Sequence, residues 1–236
     1  MKSEKDIKSQ IAFVKYLTKY LFYLVKFPFM KQNEIFTNIY NKNIWGNKKT
    51  VSGHGSTLEH TETILEELPK IIQQFKVKTI LDIPCGDLYW MKNINFDINY
   101  IGADIVKNLI EENCKKFPDF GEFLTLDICS SKLPECDLIF CRDCLVHLSF
   151  KNIFLALNNI KDCNCKYLMM TTFPELKSNS NTITGAWRAL NFQIPPFNFP
   201  EPIKLVQEKP IYRGKRYPDK ALGLWEINSL NLKHLN

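Results

Sequence analysis

The sequence predicts an α/β protein: a three-layer sandwich around a mostly parallel seven-stranded sheet with an antiparallel C-terminal strand. Three observations predict it. From about residue 76, short β-branched and apolar runs alternate with helical stretches, which implies right-handed βαβ units and a parallel sheet. Each run ends abruptly on a polar or turn residue: Asp82, Asp104, Asp127 and Arg142. After a long Pro- and Asn-rich stretch, two more apolar runs close the chain as a hairpin-like edge.

The elements follow in order. Residues 78–83 (KTILDI) read as the first strand, broken by Pro84-Cys-Gly-Asp87. Residues 98–104 read as the second, followed by a helix from Ile105 to Phe117 that ends before Pro118. Residues 122–126 are the third strand and 137–141 the fourth. Ser149 suits the N-cap of a helix running to about Ile160, and residues 166–172 form the fifth strand. Residues 174–202 read as a loop with little regular structure, and loops of that length in a compact domain are usually functional. Residues 203–208 and 222–227 are the closing strands. Upstream, the glycine-containing Ser52-Gly-His-Gly-Ser-Thr57 leads into a helix from Leu58 to Lys70.

The charge is unevenly placed. The 236 residues carry a net +6, but residues 1–50 hold ten Lys and three acids, a surplus of +7. The remainder has 21 basic and 22 acidic residues, so it has no uniform field for nucleic acid. The expected organisation is a basic helical segment over residues 1–57, a candidate lid, and a domain over 58–236 with 174–220 as a substrate-covering insertion. Residues 11–30 are aromatic and apolar, but Lys15, Lys19 and Lys26 interrupt them. A spanning helix needs about 20 mostly apolar residues, so peripheral membrane contact, a homodimer contact or packing on the domain are the readings left.

Eight cysteines are present, most inside apolar runs such as Cys136-Asp-Leu-Ile-Phe-Cys-Arg-Asp-Cys144, where a free thiol behaves as a small hydrophobe. The polar start and the absence of a visible cleavage site favour a cytoplasmic chain with reduced thiols. A zinc site from Cys141, Cys144, Cys163 and Cys165 is disfavoured because Cys141 ends an apolar strand, so no metal is expected.

In an open α/β sheet, ligands bind at the carboxyl ends of the strands. Gly86 stands alone between Asp82 and Asp87, so this turn is not the multi-glycine fingerprint that cradles a pyrophosphate. An acidic turn suits a cationic or zwitterionic ligand. A sulfonium amino acid joined to ribose and adenine fits: Asp82 near the amino-acid part, Gly86 for close backbone approach, Asp104 on the ribose diol and Asp127 on the adenine amino group. Asp104 lies 22 residues after Asp82, a spacing that suits a ribose contact. The plainer reading is that these acids merely end strands.

The ordered set LDIPCGD, YIGADI, FLTLDI, CDLIFCRDCLVHL and YLMMTTF resembles the class I S-adenosylmethionine (SAM)-dependent methyltransferases, with their Rossmann-like fold, over residues 76–173. Pro84 and Cys85 stand where that family usually has glycines. The flanking segments, Trp45-Gly46 with Val51–Thr57 and Thr184–Arg188 with Ile194–Pro200, resemble a bacterial subgroup linked to glycan and capsule pathways. The resemblance implies cofactor contacts by Asp82, Pro84, Cys85, Gly86, Asp104, Ile105, Asp127, Ile128 and Arg142, joined by Trp45, Ser56 and Thr57. It implies SAM as cofactor and S-adenosylhomocysteine (SAH) as product.

For catalysis, His147 is the best-suited general base by residue type, with Asp143 as second candidate or orienting group. A structural Arg142–Asp143 ion pair and a core His147 are the plainer readings. Trp187, Arg188, Tyr217 and Lys220 are candidate acceptor-binding residues, with Arg213, Lys215 and Arg216 as further cations for an anionic group. The expected activity is methylation, through oxygen, of a small polar acceptor such as a nucleotide sugar or capsule precursor. A nucleic-acid methyltransferase and a non-catalytic binding module are the alternatives.

Overall fold

Alternation along the strands builds the sheet and decides which layer each side chain enters. The computed structural model describes residues 25–45, 47–95, 97–208 and 218–231. The strands are β1 (Thr79–Asp82), β2 (Asn99–Asp104), β3 (Glu122–Thr125), β4 (Leu138–Cys141), β5 (Tyr167–Thr172), β6 (Lys204–Gln207) and β7 (Ala221–Glu226). The helices are α1 (Gln32–Asn41), α2 (Leu58–Gln74), α3 (Lys107–Lys116) and α4 (Phe150–Asp162).

The seven strands lie in the order β3-β2-β1-β4-β5-β7-β6. The pairs within β1–β5 are parallel, and β7 runs antiparallel to both β5 and β6. The expected seven-stranded, mostly parallel architecture with its antiparallel C-terminal strand is what the structure has. The central strands β4 and β5 are buried at every residue, because helices cover both faces. Ile80, Leu138, Phe140 and Met169 face one core layer with Ile64, Leu68 and Ile71 of α2. Their neighbours Leu81, Ile139, Cys141, Leu168 and Met170 face the other layer with Ile153, Ala156, Leu157 and Ile160 of α4. Truncating a residue such as Phe140 to Ala would cost about 3–5 kcal/mol, by lost transfer energy plus the cavity left behind.

Strand ends fall within a residue of expectation, and two helix boundaries shift further for reasons the structure shows. Helix α2 continues past Pro69 to Gln74, because Ile71 and Ile72 extend its buried stripe. The helix after β2 begins at Lys107 rather than Ile105, because Val106 N donates to Asp104 Oδ1 at 3.0 Å and turns the chain first. The N-cap at Ser149 is present, its hydroxyl accepting from Asn152 N at 3.3 Å.

Phe27, Ile35, Ile39 and Ile44 form a small apolar cluster with Trp45 and Ile183, which ties α1 to the long 174–202 loop. Of the 11–30 stretch, only residues 25–30 are among those described; there Phe27 is buried while Val25 and Phe29 are exposed. Among the described residues no helix is long and apolar enough to cross a membrane, and no cluster of three or more His, Cys, Asp or Glu could hold a metal ion. All eight cysteines are free thiols.

Candidate active site

The carboxyl ends of β1, β2 and β4 open into a cavity of about 550 Å³, also walled by Gln32, Phe36, Tyr40, Trp45 and residues 51–56. Asp82, at the end of β1, is buried and accepts a hydrogen bond from the Tyr100 hydroxyl at 2.6 Å. Burial pushes its carboxyl up to about 8; Tyr100 and Arg142 oppose the rise and Asp104 adds to it. Asp104, at the end of β2, accepts from Val106 N at 3.0 Å and Gly86 N at 3.3 Å. Burial raises it to about 6 against those backbone donors.

Gly86 has φ +58°, and a Cβ there would come 2.3 Å from Ser52 Oγ. The turn and the 50–52 loop therefore meet with no room for a side chain. Asp87 latches that loop: its carboxylate accepts from Thr50 Oγ1 at 2.8 Å, Val51 N at 3.1 Å and Ser52 Oγ at 3.2 Å. Asn113 of α3 fixes the turn from behind, donating to Gly86 O at 2.7 Å.

A buried ion network closes one end of the cavity. Arg142 donates to both oxygens of Glu208, at 3.2 and 2.7 Å, and to Gly55 O at 2.8 Å. Lys220 Nζ lies 2.6 Å from Asp143 Oδ2 and 3.2 Å from Glu208 Oε2. Although burial opposes it, Lys220 and Arg142 hold the Asp143 carboxyl well below the usual carboxylate range. His147 sits in the short turn after Asp143, with Nδ1 3.0 Å from Ala186 O and its ring against Trp45 at 4.9 Å between centroids. Burial drives its pKa down to about 4, against Asp143 and the Ala186 carbonyl.

No family model matches the chain, and no curated protein matches it in sequence. Solved structures do match it. The N-methyltransferase NodS of Bradyrhizobium japonicum aligns over 73% of this chain and 98% of its own, at 14% identity and a TM-score of 0.55. Magnesium protoporphyrin IX methyltransferase (ChlM) of Synechocystis, solved with bound SAH, aligns over 83% and 99% at 10% identity and a TM-score of 0.54. A SAM-dependent methyltransferase of Clostridium acetobutylicum aligns over 80% and 96% at 12% identity and a TM-score of 0.51. The fold is that of the SAM-dependent methyltransferases.

On this methyltransferase fold, most residues singled out in the sequence meet in one cavity. Trp45, Ser56, Asp82, Pro84, Cys85, Gly86, Asp104, Ile105, Ile128, Arg142, Asp143, His147, Trp187 and Lys220 all line it. Three others do not. The Asp127 carboxylate, expected on an adenine amino group, is engaged by Cys129 N at 2.8 Å, Gln32 Nε2 at 3.1 Å and Ser130 Oγ at 3.1 Å. It ties α1 to the end of β3. Thr57 turns its hydroxyl to His60 Nδ1 at 2.8 Å. Arg188, expected to bind an anionic acceptor, is buried, and its guanidinium donates to the carbonyls of Leu145 at 2.9 Å, Leu148 at 2.5 Å and Ser180 at 3.2 Å. It staples the long loop to the His147 turn, and burial lowers its pKa to about 10. Tyr217, Arg213, Lys215 and Arg216 lie outside the described residues.

Glu208, Gln32, Tyr40 and His60 also line the cavity, and sequence reasoning gave them no such role; Asp87, expected as part of an acidic turn toward the ligand, instead holds the 50–52 loop. Glu208 follows the edge strand β6, and its partners Arg142 and Lys220 come from elsewhere in the sequence.

Proposed function

We propose that this protein is a SAM-dependent methyltransferase that methylates a hydroxyl group of a small polar acceptor, with SAH as the product. The observation that carries the reading is the convergence of Asp82, Gly86, Asp104 and His147 on one cavity. The residues present fit the cofactor. Two buried carboxylates suit a positively charged amino acid and a ribose diol. Gly86 permits backbone approach, and Ile105, Leu126 and Ile128 offer an apolar bed for a purine. When bound, SAM supplies a methyl group on a positively charged sulfur, open to in-line attack.

The chain's own residues do the rest. The Ala186 carbonyl can only accept a hydrogen bond, so His147 carries its proton on Nδ1 and presents Nε2 as a lone pair. With its pKa near 4 the ring is neutral at pH 7, and Nε2 takes the acceptor's hydroxyl proton. Asp143, ion-paired to Lys220 and Arg142, is a poor proton acceptor and instead orients Lys220 at the cavity wall. Trp187 of the long loop, with Gln32, Phe36, Tyr40, Trp45 and residues 51–56, walls the cavity around the reacting groups.

Nucleotide sugars and capsule or glycan precursors are the acceptor class that the flanking motifs suggest, and nucleic acid is not expected. The reading includes a cytoplasmic location, residues 1–57 as a cover over the 58–236 domain, and 174–220 as its substrate-covering insertion. Residues 11–30 are proposed as a contact with a membrane surface or a second copy, which vesicle co-sedimentation and sedimentation velocity would separate. The primary test is titration calorimetry with SAH, followed by transfer of labelled methyl from SAM to a panel headed by nucleotide sugars. Saturable SAH binding and a labelled product support the reading; no SAH binding by folded protein overturns it.

A further inference from the structure

Tyr100 and Asp82 form a hydrogen bond of 2.6 Å between two groups that are each only 3% exposed. Tyr100 lies near the start of β2, and residues 100, 102 and 104 share one face of that strand. The phenol extends toward the strand tip because position 102 is glycine. A Cβ on Gly102 would stand 3.0 Å from Tyr100 Cε1 and 2.9 Å from the Phe123 ring, in the space where the tyrosine lies. Edge-on contacts from Phe120, at 4.9 Å between centroids, and Phe123, at 6.3 Å, hold the ring in that pose.

We propose that Tyr100 is a positioning residue for the cofactor site: its hydroxyl occupies Asp82 Oδ2, fixes the rotation of the carboxyl and leaves Oδ1 to receive the ammonium group of the cofactor. This rests on the SAM reading given above. The surrounding charges make the role measurable. Asp104, the Cys85 thiol and Arg142 are the titratable and charged groups that act on or with Asp82 besides Tyr100. Burial favours the protonated acid, which is no partner for an ammonium group; the Tyr100 hydroxyl favours the carboxylate. Cofactor affinity therefore rises with pH as Asp82 ionises, and Tyr100 keeps that rise near neutrality.

The test is titration calorimetry with SAH between pH 6 and 8.5 on the full chain and on Tyr100→Phe, which keeps the ring contacts. The variant is expected to bind SAH about ten-fold more weakly at pH 7, with its affinity rise displaced upward by on the order of one pH unit. Gly102→Ala, which crowds the same ring while keeping the hydroxyl, should move both quantities in the same direction. Thermal denaturation shows that each variant is folded. Wild-type affinity and an unmoved pH profile in folded Tyr100→Phe overturn the role of Tyr100 and leave the SAM reading standing. If Tyr100→Phe does not fold, Gly102→Ala decides the matter by the same two quantities. Failure of the wild type itself to bind SAH overturns both.

Discussion

His147 Nδ1 stands 3.0 Å from the carbonyl oxygen of Ala186, and this contact joins the end of β4 to the long loop that follows β5. It selects one tautomer and aims the other nitrogen's lone pair away from the loop. Arg188, two residues on, donates to Leu145 O and Leu148 O on either side of the histidine. The loop thus holds the ring of the base by one hydrogen bond and the turn that carries it by two.

His147→Ala is expected to keep SAH affinity, because Asp82, Gly86 and Asp104 are untouched, and to lower turnover by roughly 10²–10⁴-fold. At saturating SAM the wild-type rate should stay level from pH 7 downward and fall only as pH drops through about 4, where His147 takes up a proton. Unchanged turnover of the true acceptor by the alanine variant would remove His147 from the mechanism.

Asp104→Ala should weaken SAM and SAH binding measured by calorimetry. Its carboxylate is the group that two backbone amides, Gly86 N and Val106 N, hold at the β2 tip. Loss of a hydrogen bond to a charged group is expected to cost about 1.5–3 kcal/mol, or ten-fold or more in Kd. Wild-type affinity would sink the ribose assignment.

The central strands were legible because they are buried on both faces: Leu138–Cys141 and Tyr167–Thr172 read as apolar runs whatever their neighbours are. Strand tips were legible for the same reason, since a charged residue ending such a run must find polar partners at the sheet's edge, as Asp82, Asp104 and Arg142 do. What each tip residue bonds to was not. Asp127 and Arg188 have the residue types a ligand site needs, yet Gln32 lies 95 residues from the first, and the carbonyls that engage the second belong to turns no local pattern announces. Glu208 was missed because its meaning comes only from strand order, which brings β6 beside β7 and its carboxylate to Arg142, 66 residues away in sequence. Tyr100 was visible in principle through the Tyr-x-Gly-x-Asp spacing on one strand face.

Glu208→Gln tests the ion network as a structural unit. Arg142 and Glu208 are both buried, so removing the Glu208 charge leaves Arg142 with only the longer 3.3 Å pairing to Asp143. Breaking such a pair costs about 3–5 kcal/mol. In a chain of this size that corresponds to a fall in Tm on the order of 10 °C. The double variant Arg142→Met with Glu208→Leu should recover part of the loss, because the desolvation of both charges disappears with them. A Tm for Glu208→Gln within a degree or two of wild type would show that the pair contributes little.

The acids at the cavity floor also set how stability depends on pH in the absence of ligand. Asp82 rises from 3.8 when exposed to about 8 in the folded chain, and Asp104 from 3.8 to about 6. A raised pKa means that the folded state binds more protons, so the stability these groups contribute is full below about pH 4 and is lost as pH rises through the folded values. His147 works the other way. Its folded pKa of about 4 lies below its ordinary 6.5, so its contribution is present above pH 6.5 and is lost as pH falls through 4. Below pH 6.5 these effects overlap; between about 6.5 and 8 Asp82 dominates, with Asp104 mostly ionised and His147 neutral. The unliganded protein should therefore lose stability across that window with a slope of on the order of 1 kcal/mol per pH unit. Asp82→Asn should flatten the slope, read by urea denaturation at half-unit intervals. The same slope in wild type and variant would mean that Asp82 is already ionised at pH 6.5.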